Sequence, residues 1–484
     1  MVWKEHEFSK NYVILKPHNA NVFDLILFIL PFGFKKRKLM DCPDGKEDSY
    51  RSFADRLIIF VSLLLQILIL TIAIPLANLD AFLQKLFNFI SFNGTIPQLF
   101  FKFVRGETLV QPNKSSPDYT SVVGFTDWRR DLDNSISPDD TFRYYSVLTV
   151  MASKLSYESL PFVQSVVNDR WKMKLLGYYN FWNDFQSRAT TQAFMFQTTA
   201  SDPNITVVAF RGTTPLDAYD WQVNVDFSWY DIHGVGRIHS GFMKALGLQK
   251  RKGWPKELTP TTTSAPQFAY YTLRQKLIDI AKTNANARFI LTGHSLGAAL
   301  AVLFVAILAL HDESLVLEKI KAIYSYGQPR VGDRHFAEFM VSVIKKYNFE
   351  YHRYVYFSDL VPRLPADGIL FKYKHFGRCI YFDSLYRGRI VKGQPNKNYF
   401  SLLWLIPKYL NAWLELVRSF LIPFVKGYDY YESLAMKGVR FIGLLMPGLT
   451  AHIPTDYVNS TRLGKLNVPE EILEDGDDCI EPDY

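Results

Sequence analysis

The chain has 484 residues, 48% hydrophobic and 15% aromatic, which excludes a disordered protein and leaves room for a large core with additions. Its formal charge of +8 is uneven: from Leu466 onward there are eight acids and no Lys or Arg, so the rest carries +16. A basic, apolar body favours an anionic lipid surface; its basic residues are scattered and no nucleic-acid motif occurs, so nucleic acid is not an expected partner.

The first residues, Met1 to Lys16, are polar and mixed in charge, so no signal peptide is expected. Cys42, Cys379 and Cys479 are far apart and fit neither a disulfide framework nor a zinc site, which points to a cytosol-facing, reducing environment. Four Asn-x-Ser/Thr sequons, at Asn93, Asn113, Asn204 and Asn459, keep a lumenal location open. A short apolar run, Leu25 to Phe34, precedes the basic cluster Lys35-Lys36-Arg37-Lys38. Leu57 to Ala77 then gives 21 residues without a charge, long enough for a membrane helix. Arg51 and Arg56 precede it, which places the N-terminus on the cytosolic side. A lipid droplet has no second aqueous side, so a droplet-bound segment must re-enter or lie flat, and Pro75 with the aromatic run after it suits that geometry. The alternative is a helix packed on the catalytic domain. Residues 1–104 are therefore expected to be a membrane- or droplet-association region.

Residues 105–140, with Pro112, Pro117 and Pro138, read as a linker. The catalytic domain is expected over 141–465, beginning near Phe142. Tyr144 to Leu155 and Phe268 to Ala281 are predicted helices. Ile205–Phe210, Phe289–Thr292, Ile320–Tyr326 and Tyr354–Phe357 are predicted strands. Strands alternating with helices predict an α/β fold with a mostly parallel sheet.

Gly293-His294-Ser295-Leu296-Gly297 lies between the Phe289 strand and a small, apolar run from Ala298 to Leu310. A GxSxG at a strand–turn–helix junction presents its serine as a nucleophile, and the flanking glycines let strand and helix pack closely. A serine needs a general base, and the base needs an orienting carboxylate. In α/β-hydrolases these follow in the order Ser, Asp or Glu, His. Asp359 is the favoured acid, because it ends a strand before the turn Leu360-Val-Pro-Arg-Leu-Pro365. Asp333 is its rival, with a turn or helix-cap role as the alternative. Only His375 and His452 follow both Ser295 and Asp359. His452 is favoured, since it sits in a loop between Gly448 and Pro454, whereas His375 runs into an apolar strand. Leu296 N–H and the loop Phe210-Arg-Gly-Thr213 are the expected oxyanion donors, through Thr213 N–H and its hydroxyl.

Between Asn396 and Pro447 lies another apolar, aromatic stretch, before His452. Leu410, Leu414, Val417, Leu421 and Phe424 fall at helical spacing, with Lys408, Glu415 and Arg418 on another face. A core-facing helix and an interface-contacting helix both fit that pattern. The acidic residues 466–484 are expected to be a solvated tail.

Phe210-Arg-Gly-Thr213, His239-Ser-Gly-Phe242, Gly293–Gly297, Tyr326-Gly-Gln-Pro-Arg-Val-Gly332 and Asp359-Leu-Val-Pro362 resemble, in order, the motifs of the class 3 (fungal-type) lipases. The N-terminal apolar region, Trp171–Asn180, Phe227–Tyr230 and His452–Gly464 are similar to the plant oil-body triacylglycerol lipases. The resemblance implies an α/β-hydrolase fold, the triad Ser295, Asp359 and His452, and the oxyanion residues Thr213 and Leu296. It also implies a lid at about 214–229, with Trp221 and Trp229 as apolar contacts. No metal or cofactor is required. The implied partners are an acylglycerol substrate and a lipid-droplet (oil-body) or membrane surface, with the endoplasmic reticulum membrane as a second location. A phospholipase or galactolipase would use the same apparatus, and a droplet scaffold with a relic hydrolase domain is the reading from another class. The interval from Asp359 to His452 is longer than in compact fungal lipases, because 384–450 is inserted.

Overall fold

The structure, a computed structural model, describes residues 8–9, 11–29, 36–43, 53–199, 204–250, 252–258, 266–365, 372–396, 398–466 and 480–481. A nine-stranded sheet carries the fold. Its strands are β1 (Lys174–Asn183), β2 (Arg188–Gln197), β3 (Ile205–Phe210), β4 (Arg288–His294), β5 (Ile320–Tyr326), β6 (Glu350–Tyr356), β7 (Arg378–Phe382), β8 (Arg387–Val391) and β9 (Lys465–Leu466). They lie side by side in sequence order. β3 to β7 are parallel, and β1, β2 and β8 add antiparallel pairings towards the edges.

Every residue of β3 is buried, as expected of an apolar run covered on both faces. Alternate side chains serve two cores. Val207 and Ala209 pack with helices Thr141–Leu155 and Pro454–Leu463. Val208 and Phe210 pack with helices Ala269–Thr283 and Leu296–Leu310. The last of these is apolar all round and buried except at Ala309 and Leu310, so it is a core helix.

The N-terminal region is not a separate domain. Strand Asn11–Leu15 pairs with Trp229–Ile232 in a second, six-stranded sheet. Val13, Leu15, Leu25, Ile59 and Leu63 share a core with Trp229. The uncharged run breaks at Ile72 (φ −99°, ψ 10°), giving helices Phe53–Thr71 and Ala73–Asn93. Pro75 lies in the first turn of the second, where a missing N–H costs nothing. The first is long and apolar enough to cross a membrane. Yet Ser62, Leu63 and Gln66 are buried on it. Ser62 Oγ donates to Val225 O at 2.6 Å and accepts from Phe227 N at 3.0 Å; Gln222 Nε2 donates to Gln66 Oε1 at 3.2 Å. The helix thus grips helix Ala218–Val225. Most of the basic cluster at 35–38 lies outside the described side chains; Lys38 pairs with Asp24.

Residues 105–140 are packed rather than a free linker. Tyr119, Val123 and Ile136 are buried, Ser121 N and Oγ donate to Glu158 at 2.8 and 2.9 Å, and Arg129 Nη1 donates to Asn459 Oδ1 at 2.7 Å. Their polar groups point inward, which composition does not reveal. Two of the sequon asparagines, Asn93 and Asn459, are likewise buried and hydrogen-bonded.

Helices Leu405–Lys426 and Leu434–Gly443 occupy the insertion. The predicted stripe faces outward: Leu410, Leu414, Val417, Leu421 and Phe424 are exposed, the last at 87%. Lys408 and Glu415 are buried instead. Arg440 donates to Glu432, Asp456 and Glu415 at 2.9, 2.7 and 3.2 Å, and Arg418 to Asp456 at 2.8 Å. The core-facing reading of that stripe is therefore replaced by its opposite. The tail also differs from expectation. Ile480 bridges to Phe376 and Glu481 is buried, so these two residues are docked; 467–479 and 482–484 lie outside the described residues.

Candidate active site

Ser295 stands between β4 and helix Leu296–Leu310 with φ 58° and ψ −128°, a conformation costly for a residue with a Cβ. The turn survives because its neighbours are small: a Cβ on Gly293 would lie 2.2 Å from the Gly297 backbone. Ser295 N donates to Tyr326 O at 2.8 Å, tying the turn to the end of β5. Leu296 heads the helix, so its N–H has no acceptor there.

Asp359 follows β6 and is fully buried. Its Oδ1 accepts from Val361 N at 2.9 Å, and its Oδ2 accepts from His452 Nδ1 at 2.8 Å. The imidazole is thereby fixed with its lone pair on Nε2, which has no hydrogen-bond partner among the described groups. Tyr457, one turn into helix Pro454–Leu463, donates a second hydrogen bond to Asp359 Oδ2. Burial, then the Asp359 charge, push the Tyr457 phenol well above its usual range, so it stays a donor.

Two further residues seat the histidine. Gly327 has φ 61°, and a Cβ there would lie 2.8 Å from His452 Cε1 and 3.1 Å from Asp359 Oδ2. A side chain at 327 would wedge the pair apart. His294 Nε2 lies 2.7 Å from His452 O, and its Nδ1 lies 2.8 Å from Tyr157 Oη. A carbonyl only accepts, so Nε2 carries the proton and Nδ1 accepts from the tyrosine. Burial, with His452 beside it, holds His294 well below the usual histidine range, in the neutral form this pattern needs.

Thr213 ends the loop after β3 and is nearly buried. Its Oγ1 accepts from Asn224 Nδ2 at 2.6 Å, and Thr214 N donates to Asp220 Oδ2 at 2.9 Å. Arg211 pairs with Asp220 at 3.1 Å. The loop at 211–214, expected to supply an oxyanion donor, is thus fastened to helix Ala218–Val225, within the expected lid. Trp221 is on that helix, with Nε1 donating to Pro215 O at 2.9 Å. Trp229 is not an outer contact: it is 5% exposed, in the core shared with Val13 and Leu63, because its strand pairs with Asn11–Leu15.

The structure therefore brings Asp359 and His452 into contact and seats His294 against the His452 carbonyl; Ser295 and Leu296 follow His294 directly, and Thr213 lies on the loop after β3, the strand paired with β4. The rivals lie elsewhere. Asp333 caps helix Arg334–Tyr347 through Phe336 N at 3.0 Å. His375 lies under the acid loop, with Nε2 donating to Pro362 O at 2.7 Å. Sequence reasoning missed the roles of Tyr457, Tyr157 and Gly327. A glycine at the end of β5 was the one available signal, since a strand-end turn at positive φ calls for it.

A largely parallel α/β sheet with a serine on the strained turn after a middle strand is the architecture of an α/β-hydrolase. Residues 207–368 match the family described as Lipase (class 3). The chain is 37% identical to Triacylglycerol lipase OBL1 of Nicotiana tabacum and 34% identical to Triacylglycerol lipase OBL1 of Arabidopsis thaliana, each alignment covering 94% of this chain and 95% of the relative. Among solved structures, Rhizomucor miehei triacylglyceride lipase aligns at 21% identity over 51% of this chain and 81% of that one, with a TM-score of 0.37. The chain belongs to the class 3 lipase family.

Proposed function

We propose that the protein hydrolyses long-chain triacylglycerols at the surface of lipid droplets, with Ser295, His452 and Asp359 as its triad. The hydrogen bond from His452 Nδ1 to a buried Asp359 carries the reading. His452 Nε2 takes the Ser295 proton as Oγ attacks the ester carbonyl. Leu296 N–H and Thr213 stabilise the oxyanion. The intermediate collapses as His452 returns the proton to the departing alkoxide. Water then gives a proton to His452 and attacks the acyl-enzyme, and His452 returns that proton to Ser295 Oγ as the fatty acid is released. Asp359 keeps the tautomer and stabilises the histidinium.

The substrate class rests on the relatives' names and on the outward leucines of Leu405–Lys426. An exposed apolar face of that length suits an oil surface. Exposed Phe100, Phe101 and Phe103 in helix Ile96–Val104 form a second apolar patch. The proposed lid, 214–229, is tied at Gln222, Val225 and Phe227 by hydrogen bonds with Gln66 and Ser62.

Ser295→Ala tests the reading. It should abolish hydrolysis of emulsified triolein while droplet binding stays intact, and full activity in the variant rejects the assignment. Phosphatidylcholine and galactolipid vesicles in the same assay decide the lipid class: faster turnover of either than of triolein makes the protein a polar-lipid hydrolase. Failure of wild-type Ser295 to react with a fluorophosphonate favours the scaffold reading.

A further inference from the structure

Arg330 and Glu481 form a pair with no exposed atoms, 151 residues apart in sequence, beneath the loop that carries Asp359. Arg330 Nε and Nη2 donate to the two Glu481 oxygens at 2.9 and 2.7 Å. Arg330 Nη1 donates to Arg363 O at 2.8 Å and Pro365 O at 2.7 Å, and its backbone N–H to Leu364 O at 2.9 Å. Arg363 in turn donates to Asp359 O and to Phe357 O. Glu481 is itself held by backbone: its N–H donates to His375 O at 2.9 Å, and Oε2 accepts from His375 N at 3.1 Å. One carboxylate thus orders a relay that ends on the residue holding His452.

We propose that Glu481 is a positioning residue for Asp359. Removing one partner of a buried ion pair leaves the other charge uncompensated, which is strongly unfavourable. Burial, and then the Arg353, Arg330 and Arg363 cations around it, hold His375 well below the usual histidine range. Among the described residues, Glu481 is the acid that pairs with Arg330. Without that carboxylate the guanidinium is repelled by its neighbours and drawn to water, and the carbonyls of Arg363 and Pro365 lose their donor. The acid loop then loosens and the Asp359–His452 contact lengthens. The inference rests on the reading of Asp359 as the triad acid. It makes residues near 480 a strap on the active site, where composition alone expects a solvated tail.

The test uses full-length protein with Glu481→Gln, which keeps shape and removes charge, and an Arg330→Met/Glu481→Leu double variant, which removes both charges of the pair together. A soluble short-chain ester serves as substrate, with active sites counted by fluorophosphonate titration. Glu481→Gln should lower kcat per titrated site by about 10²-fold, in line with an ångström-scale misplacement, with KM unchanged. The acid limb of its kcat/KM profile should move to lower pH, because a loosened carboxylate stabilises the histidinium less. Amide hydrogen exchange in 357–365 and 447–453 should quicken while β4 and β5 stay protected. The double variant should fold, and should keep the kcat deficit because the Arg330 donors are gone. A lower melting temperature with unchanged kcat per site and an unmoved acid limb overturns the proposal, as does wild-type kcat in the double variant. A wild type without ester hydrolysis rejects the functional reading instead, and the exchange data then decide this proposal alone: faster exchange in the acid loop supports it, unchanged exchange overturns it.

Discussion

Helices Leu296–Leu310 and Leu405–Lys426 are both rich in leucine, and the fold treats them oppositely. The first buries its apolar residues against β4 and the helices around it. The second buries Lys408 and Glu415 and turns Leu410, Trp413, Val417 and Phe424 outward. Hydrophobicity alone therefore does not decide burial here. The outer helix is inverted because its charges have partners inside: Glu415 accepts from Tyr356 Oη at 2.8 Å and Asn411 Nδ2 at 2.7 Å, and meets Arg440. Its leucines are left exposed.

A charge placed on each helix separates the two cases. Val302 is fully buried in the inner helix with no cation beside it among the described ion pairs. Val302→Asp should cost more than about 4 kcal/mol, the range of an unpaired buried charge, and leave little folded protein. Urea unfolding or soluble yield reads it, and a stable variant breaks the comparison. On the outer helix, Leu410→Asp with Phe424→Asp should change unfolding stability by no more than about 0.5 kcal/mol. The same pair should weaken partition onto triolein droplets by about 10²-fold or more, the loss of two inserted apolar side chains. Hydrolysis of a soluble ester should be unaffected. Destabilisation without loss of partition would mean that these leucines face protein.

The same contrast explains what was legible in the sequence. A hydrolase triad demands set residue types in a set order, so the proposed Ser295, Asp359 and His452 could be picked from the sequence. β3 and β5 were found to the residue, because buried parallel strands are unbroken apolar runs. β6 was found only in its second half, since His352 and Arg353 interrupt the run while being buried. The hairpin β1–β2 was missed: Gly177, Asn180 and Arg188 blur its alternation. The direction of the outer helix was illegible for a different reason. An amphipathic stripe reads the same inward or outward, and the deciding partners, Arg440 and Asp456, come from later segments. Trp229 and Glu481 follow that rule, since strands and ion pairs from distant parts of the chain bury them.

Pairing does not always offset burial, and helix Ala218–Val225 supplies the graded case. Burial pushes Asp456 up, but Arg440 and Arg418 more than reverse this, leaving its carboxyl below the usual range. Asp220 is also buried, yet Arg211 reverses only part of the effect and Asp217 adds to it, so its pKa rises to about 6 from 3.8. The folded state then binds the Asp220 proton more tightly than the unfolded chain does. Between pH 3.8 and about 6 this group makes stability fall as pH rises, and the loss is complete above that window. A difference of this size is worth at most about 3 kcal/mol, and Arg211 lowers the net effect of substitution. Asp220→Asn mimics the protonated form and lacks the fall. Relative to wild type, the variant should therefore look better at pH 7 than at pH 4.5 in urea unfolding. A difference that does not vary with pH would place Asp220 with Asp456, among the acids whose pairing wins.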